Sequence, residues 1–190
     1  MSSKPSTFLT PEEYLEIERR AERKSEYYKG EMFAMAGASR EHILIVTNLV
    51  RELSQRLEAR PCEVYSNDMR LSVSPTGLYT YPDVVVACGE PRFADDQHDT
   101  LLNPVLVAEV LSRSTQDYDR GRKLEHYRTL PSLVDYLTVA QDRHHVEQWS
   151  RRDDGWHLTE YIDPSQEIRL TSIDAVLPLS AIYRKLTLNL

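Results

Sequence analysis

A glutamate set into an apolar run is the residue of this 190-residue sequence that most asks for a chemical explanation. Glu109 stands in Val107-Ala108-Glu109-Val110-Leu111, and a carboxylate so placed costs on the order of several kcal/mol unless a cation or a metal compensates it. A second carboxylate, Asp83, opens the apolar part of Tyr81-Pro82-Asp83-Val84-Val85-Val86. If the two segments are antiparallel neighbouring strands, the start of one lies beside the end of the other and the two acids can face each other. Two hard oxygen ligands of this kind suit Mg²⁺, which keeps its other positions for water and a phosphate oxygen. The same residues also allow another arrangement, with Asp83 in a turn and Glu109 paired to a buried Arg or Lys.

Lys123 follows in Asp119-Arg120-Gly121-Arg122-Lys123-Leu124-Glu125-His126-Tyr127. Asp119, Lys123 and Tyr127 are spaced i, i+4, i+8 and share one helix face, shortly after the Glu109 segment. An ammonium there could hold a water or stabilise charge on phosphoryl oxygens; alternatively Asp119 and Lys123 are an ordinary helix pair. His42 shares a stripe with Val46, Leu49 and Leu53, so it is either a core histidine or one that reaches a cleft from the first turn of its helix. Asp68 and Asp119 are further acidic candidates.

These residues need elements to carry them. Thr10-Pro11-Glu12-Glu13 has the pattern of a capping box with Pro at the first helical position, predicting a helix to about Arg23. The segment from Glu26 to Met35 predicts two short strands turning at Lys29-Gly30. Helical spacing from about Ser39 to Ala59, stopped by Pro61, places His42 on a helix. Extended runs are expected over Cys62–Ser66, Met69–Val73 and Tyr81–Cys88, then a mobile, Asp-rich loop over Gly89–Asn103. Val105–Leu111 reads as a strand buried on both faces. Ser112 to Thr115 lead into a polar helix from about Gln116 to Thr129. Strands follow at about Val134–Ala140, His145–Ser150 and Trp156–Tyr161, the last pair turning at Asp153-Asp154-Gly155, with a short helix at Pro178–Tyr183. With no repeat and no linker, this order predicts one domain over 1–190, of class α/β or α+β, built on a central mixed sheet.

The composition is that of a globular protein, with 41% hydrophobic and 28% charged residues. No apolar run approaches the roughly 18 residues of a membrane span, and Met1 to Thr7 hold no secretory apolar stretch. With two cysteines, Cys62 and Cys88, no disulfide framework is expected, and a reducing cytoplasm is the default compartment. Neither do they form a zinc pattern with the adjacent His144 and His145. There is no glycine-rich phosphate loop and no nucleophile elbow. A net charge of −7 argues against coating nucleic acid by bulk charge but leaves a nuclease open. Basic residues gather at Arg19 to Lys24, at Arg113, Arg120, Arg122, Lys123 and Arg128, and at Arg151-Arg152. The middle group flanks Glu109, where phosphates would need positioning.

The strings Tyr81 to Val86, Val107 to Thr115, and Asp119 through Lys123 to Tyr127 together resemble the Uma-type restriction endonuclease family of the PD-(D/E)XK nuclease superfamily. The resemblance runs from Thr10 to about Val139 and weakens after Trp149. It implies a restriction-endonuclease-like mixed sheet flanked by helices. It also implies Asp83 and Glu109 as metal ligands, with the Val110 carbonyl as a third, and Mg²⁺ as the ion, with Mn²⁺ as its substitute. The superfamily's lysine usually lies two residues after the glutamate, where this chain has Leu111; Lys123 stands in for it from the following helix, and His42 matches a histidine of the first core helix. The activity implied is hydrolysis of DNA phosphodiesters by a homodimer or larger homo-oligomer, with RNA as a further substrate class. A nuclease-fold binding or assembly module with little turnover is the alternative.

Overall fold

The computed structural model describes residues 8–112 and 116–188. Its centre is a six-stranded mixed sheet packed between two layers of apolar side chains. The strands are β3 (Cys62–Ser66), β6 (Val84–Cys88), β8 (Leu106–Leu111), β9 (Asp135–Ala140), β10 (Val146–Arg152) and β11 (Gly155–Tyr161), hydrogen-bonded in the order β11-β10-β9-β8-β6-β3. All pairs are antiparallel except β8 with β9, which the intervening helix makes parallel. Every residue of β8 and β9 is buried, as the apolar pattern on both faces of Val105–Leu111 requires.

One face of this sheet packs on α2 (Arg40–Leu57) and α5 (Leu179–Ile182), through Leu49, Leu53, Ala108, Val110, Leu137 and Ile182. The other face, carrying Val85, Val107 and Tyr136, packs on Leu124 and Tyr127 and on Leu71, Leu78 and Leu101 of a second sheet. That sheet is five-stranded, in the order β2-β1-β5-β4-β7, from β1 (Ser25–Tyr28), β2 (Glu31–Ala34), β4 (Arg70–Val73), β5 (Leu78–Thr80) and β7 (Thr100–Leu101). A third pair, β12 (Glu167–Leu170) and β13 (Ala175–Pro178), adds Ile168, Leu170 and Leu177 to the first layer.

Local signals act as expected at several ends. Thr10 and Glu13 close a reciprocal capping box on α1 (Pro11–Glu18), Ser39 caps α2 by accepting from the His42 N–H, and Lys29-Gly30 turn with φ of 49° and 89°. Four expectations need correction. The first helix ends at Glu18, well before Arg23, because Glu18 turns inward to accept from the Ser25 N–H. The run Tyr81–Cys88 is two elements: β5 and β6 belong to different sheets, and Tyr81-Pro82-Asp83 is the crossing between them. The Asp-rich segment is tied down, since Arg19 bridges Asp95 and Asp99 and Thr100–Leu101 pairs with β4. Where no disulfide framework is expected from the sequence, Cys62 and Cys88 are directly opposed on β3 and β6 and joined by one disulfide.

The helix after β8 is also not uniform. It runs through α3 (Gln116–Tyr118), a π-helical turn (Asp119–Lys123) and α4 (Leu124–Arg128). No helix among the described residues is long and apolar enough to cross a membrane.

Candidate functional site

The acids and the lysine singled out by the sequence come together where β6 and β8 face the π-helical turn. Val84 pairs with Ala108, so one residue further on Asp83 lies beside Glu109. Asp83 sits just before β6 because Pro82, with no N–H to give, ends the ladder of the preceding segment. Its carboxylate is held from two sides: Oδ2 accepts from the Val110 N–H at 2.7 Å, and Oδ1 meets His42 Nε2 at 2.9 Å. His42 is thus no mere core histidine; its position in the first turn of α2 directs the ring onto Asp83. Val110 enters the site through its N–H as the donor to Asp83.

Glu109 projects from the centre of β8 toward the second apolar layer and is 4% exposed. Lys123 Nζ donates to its Oε1 at 3.1 Å and the Tyr127 hydroxyl to the same oxygen at 2.7 Å. Among the described residues no donor reaches Oε2. Burial in the sheet, together with the nearby Asp119 and Asp83 carboxylates, pushes the Glu109 carboxyl up, against the pull of the Lys123 ammonium.

Lys123 is itself buried, at 6% exposure. Besides Glu109 it meets Glu26 at 2.9 Å and Asp119 at 3.5 Å. Burial alone would lower its proton affinity, yet Glu109, Glu26 and Asp119 hold the ammonium well above the ordinary lysine range. Asp119 and Lys123 are both buried within the π-helical turn, and the Tyr136 hydroxyl donates to the Asp119 carbonyl at 2.9 Å.

Glu26 is the residue that sequence reasoning missed. It lies on β1 in the other sheet, and Thr80 of β5 donates to its Oε1 at 2.5 Å. Its only sequence signal is a charged residue in the short run Ser25–Tyr28, whose alternating burial turns Ser25 and Tyr27 to the core. Asp68, by contrast, is an exposed partner of Lys24 and lies outside the cluster. Of the basic group around Lys123, Arg113 falls outside the described residues. Arg120 pairs with Glu147, and Arg128 stacks over Trp149 at 4.4 Å. Arg122 is exposed.

The polar row continues across the sheet. Thr138 pairs with Glu109 on one side and Glu147 on the other, and Glu147 pairs with Glu160. At its far end His145, Glu147 and Glu160 bring ligand atoms within 4.8 Å of one another. Glu147 is already engaged by Thr138 and Arg120, and His145 by Glu160. Beside this row a cleft of about 570 Å³ opens between the start of α2 and the ends of β8 and β9, with Ser39, Ser112, Gln116, Arg120, Gln141 and Arg143 in its wall.

An oxygen-rich donor set with one unengaged Glu109 oxygen fits a hard divalent cation such as Mg²⁺. Asp83 and Glu109 are the residues that would hold it.

Comparison with known proteins identifies the family and the fold. Residues 11–180 match the Uma2 family profile, described as "Putative restriction endonuclease". Two uncharacterized proteins of Synechocystis sp. are similar over nearly their whole length. One, sll1609, is 40% identical over 164 residues, 86% of this chain and 93% of its own. The other, slr1290, is 38% identical over 187 residues, 97% and 96% of the two chains. Among solved structures, one described as a putative nuclease belonging to DUF820 from Anabaena variabilis superposes with a TM-score of 0.75. It covers 92% of this chain and 97% of its own at 15% identity, a likeness of fold. On the profile match and the two relatives, the chain belongs to the Uma2 family, described as putative restriction endonucleases.

Proposed function

We propose that the protein is a divalent-metal-dependent endonuclease that hydrolyses DNA phosphodiester bonds at the Asp83–Glu109 site, as the PD-(D/E)XK resemblance implies. The observation that carries this reading is a buried Glu109 beside Asp83, with Lys123 and Tyr127 on one carboxylate oxygen and no donor on the other among the described residues. A structural ion pair would need only Lys123; it would not need Asp83 braced between His42 and Val110 next to it.

The parts divide as follows. Asp83 and Glu109, with the Val110 carbonyl as a third oxygen, would hold Mg²⁺ or Mn²⁺. Such an ion supplies Lewis-acid polarisation of a phosphoryl oxygen and a lowered pKa for its bound water. His42 orients Asp83 through Nε2 and keeps its carboxylate turned to the site. Tyr127 and Lys123 fix the rotamer of Glu109, and Lys123 adds permanent positive charge within the cluster. The cleft at the ends of β8 and β9, walled by Arg120 and Arg143 together with Glu41 and Asp142, is where the substrate strand would approach.

Incubation of supercoiled plasmid with Mg²⁺ or Mn²⁺ tests this. Cleavage is expected from the wild type and a loss of at least 100-fold from Glu109→Ala and Asp83→Asn; equal cleavage by all three would remove the assigned site. A specific observation favours a second reading, a nuclease-fold binding module: the Lys123 ammonium already faces three carboxylates. That reading predicts DNA binding without turnover, and no Mn²⁺ affinity that depends on Asp83.

A further inference from the structure

We propose that the Lys123 ammonium fills the position of a second divalent cation, so that the acidic cluster takes one ion beside Lys123 and not two. The inference rests on the reading of Asp83 and Glu109 as metal-holding carboxylates. An ammonium has three N–H donors and no acceptor. Lys123 faces three carboxylates, Glu26 at 2.9 Å, Glu109 at 3.1 Å and Asp119 at 3.5 Å. They come from three separate places: β1 of one sheet, β8 of the other, and the π-helical turn. Three anionic oxygens converging on one buried centre are the surroundings that hard divalent ions use. Here the centre is a side-chain nitrogen.

The cage is braced at an ammonium's size. Thr80 holds Glu26 Oε1 and Tyr127 holds Glu109 Oε1, so neither carboxylate is free to close in. The N···O separations of 2.9 to 3.5 Å exceed the 2.0 to 2.1 Å of Mg–O contacts. Glu109 carries the ammonium on Oε1, lies beside Asp83 across the β6–β8 pairing, and has no donor on Oε2 among the described residues. It thus has the place of a carboxylate shared by the two ions of a paired site, which lie about 3.5–4 Å apart. A fixed positive charge in one of those positions repels a second ion. It also explains how the lysine can leave the strand position that Leu111 occupies and still serve the site: it acts on Glu109 as a positioning residue and needs no free N–H for water.

Mn²⁺ titration of the full-length protein tests this, with bound ions counted by equilibrium dialysis and Mn–Mn spin coupling read by electron paramagnetic resonance. Lys123→Ala is expected to bind one ion more than the wild type and to show a coupled pair that the wild type lacks. Glu26→Gln alone is expected to keep the wild-type count, and to abolish the extra ion when combined with Lys123→Ala. A Lys123→Ala protein that folds only when Mn²⁺ is added would support the inference equally. An unchanged count in folded Lys123→Ala, or a coupled pair in the wild type, overturns it. If Lys123→Ala stays unfolded with and without Mn²⁺, Glu26→Gln decides: the wild-type count supports the inference, and lost binding overturns it, since Glu26 would then be a direct ligand. A wild type that binds no Mn²⁺ dependent on Asp83 sinks instead the underlying reading of the acid pair.

Discussion

Glu109 shows how one residue can be legible in type and illegible in partnership. A carboxylate inside an apolar strand announces that something compensates it, and Lys123, on the helix face it shares with Asp119 and Tyr127, is a candidate. What the chain could not announce is the Tyr127 hydroxyl on the same oxygen, or Glu26 from another sheet. Tyr127 is a testable member of this set. Its ring packs on Tyr136 at a centroid distance of 5.1 Å, so Tyr127→Phe keeps the packing and removes only the hydroxyl. Leaving Glu109 Oε1 with one donor fewer is expected to cost about 1–2 kcal/mol of stability, measured by urea unfolding. Under the proposed function it also lowers cleavage, because Glu109 loses one of its two anchors.

Among the elements, the π-helical turn has the most influence on the site. Gly121 sits at its centre, where an added Cβ would meet nothing within 4 Å, and it has no positive φ that would need glycine. Gly121→Ala is therefore expected to raise stability by about 0.5–1 kcal/mol through a less costly unfolded-to-folded transition, with Mn²⁺ binding unchanged. Thermal unfolding with and without Mn²⁺ reads both. The helix over Gln116–Thr129 was legible from its polar periodicity, and so was the shared face of Asp119, Lys123 and Tyr127. The π geometry was not, since it is set by tertiary anchors such as the Tyr136 bond to the Asp119 carbonyl. The split of Tyr81–Cys88 into β5 and β6 had a local sign in Pro82, but which sheet each half joins depends on partners far along the chain.

At the scale of the molecule, the second sheet and the Asp-rich segment are locked to α1 by Arg19. The Asp99 carboxyl is drawn down to about 2, chiefly by its hydrogen bond from Arg19. Its folded value lies below the unfolded 3.8, so the stabilisation is complete above about pH 4 and is lost as pH falls toward 2. Asp99 is one-third exposed, so screening reduces the effect to about 1 kcal/mol. Arg19→Ala is expected to lower stability by that amount at pH 7 and to flatten the dependence between pH 4 and 2, followed by urea midpoints across that range. The sequence by itself marked Asp83, Glu109 and Lys123 as candidates, located the long helices and strands, and pointed to the family. These follow from side-chain type and from the periods 3.6 and 2, which are local properties of a chain. Tertiary structure alone decided that Glu26 joins the cluster, that His42 grips Asp83, that Cys62 meets Cys88 and that a second sheet closes over the site. Each of these depends on contacts between distant segments, and no local energy term encodes which distant segment arrives.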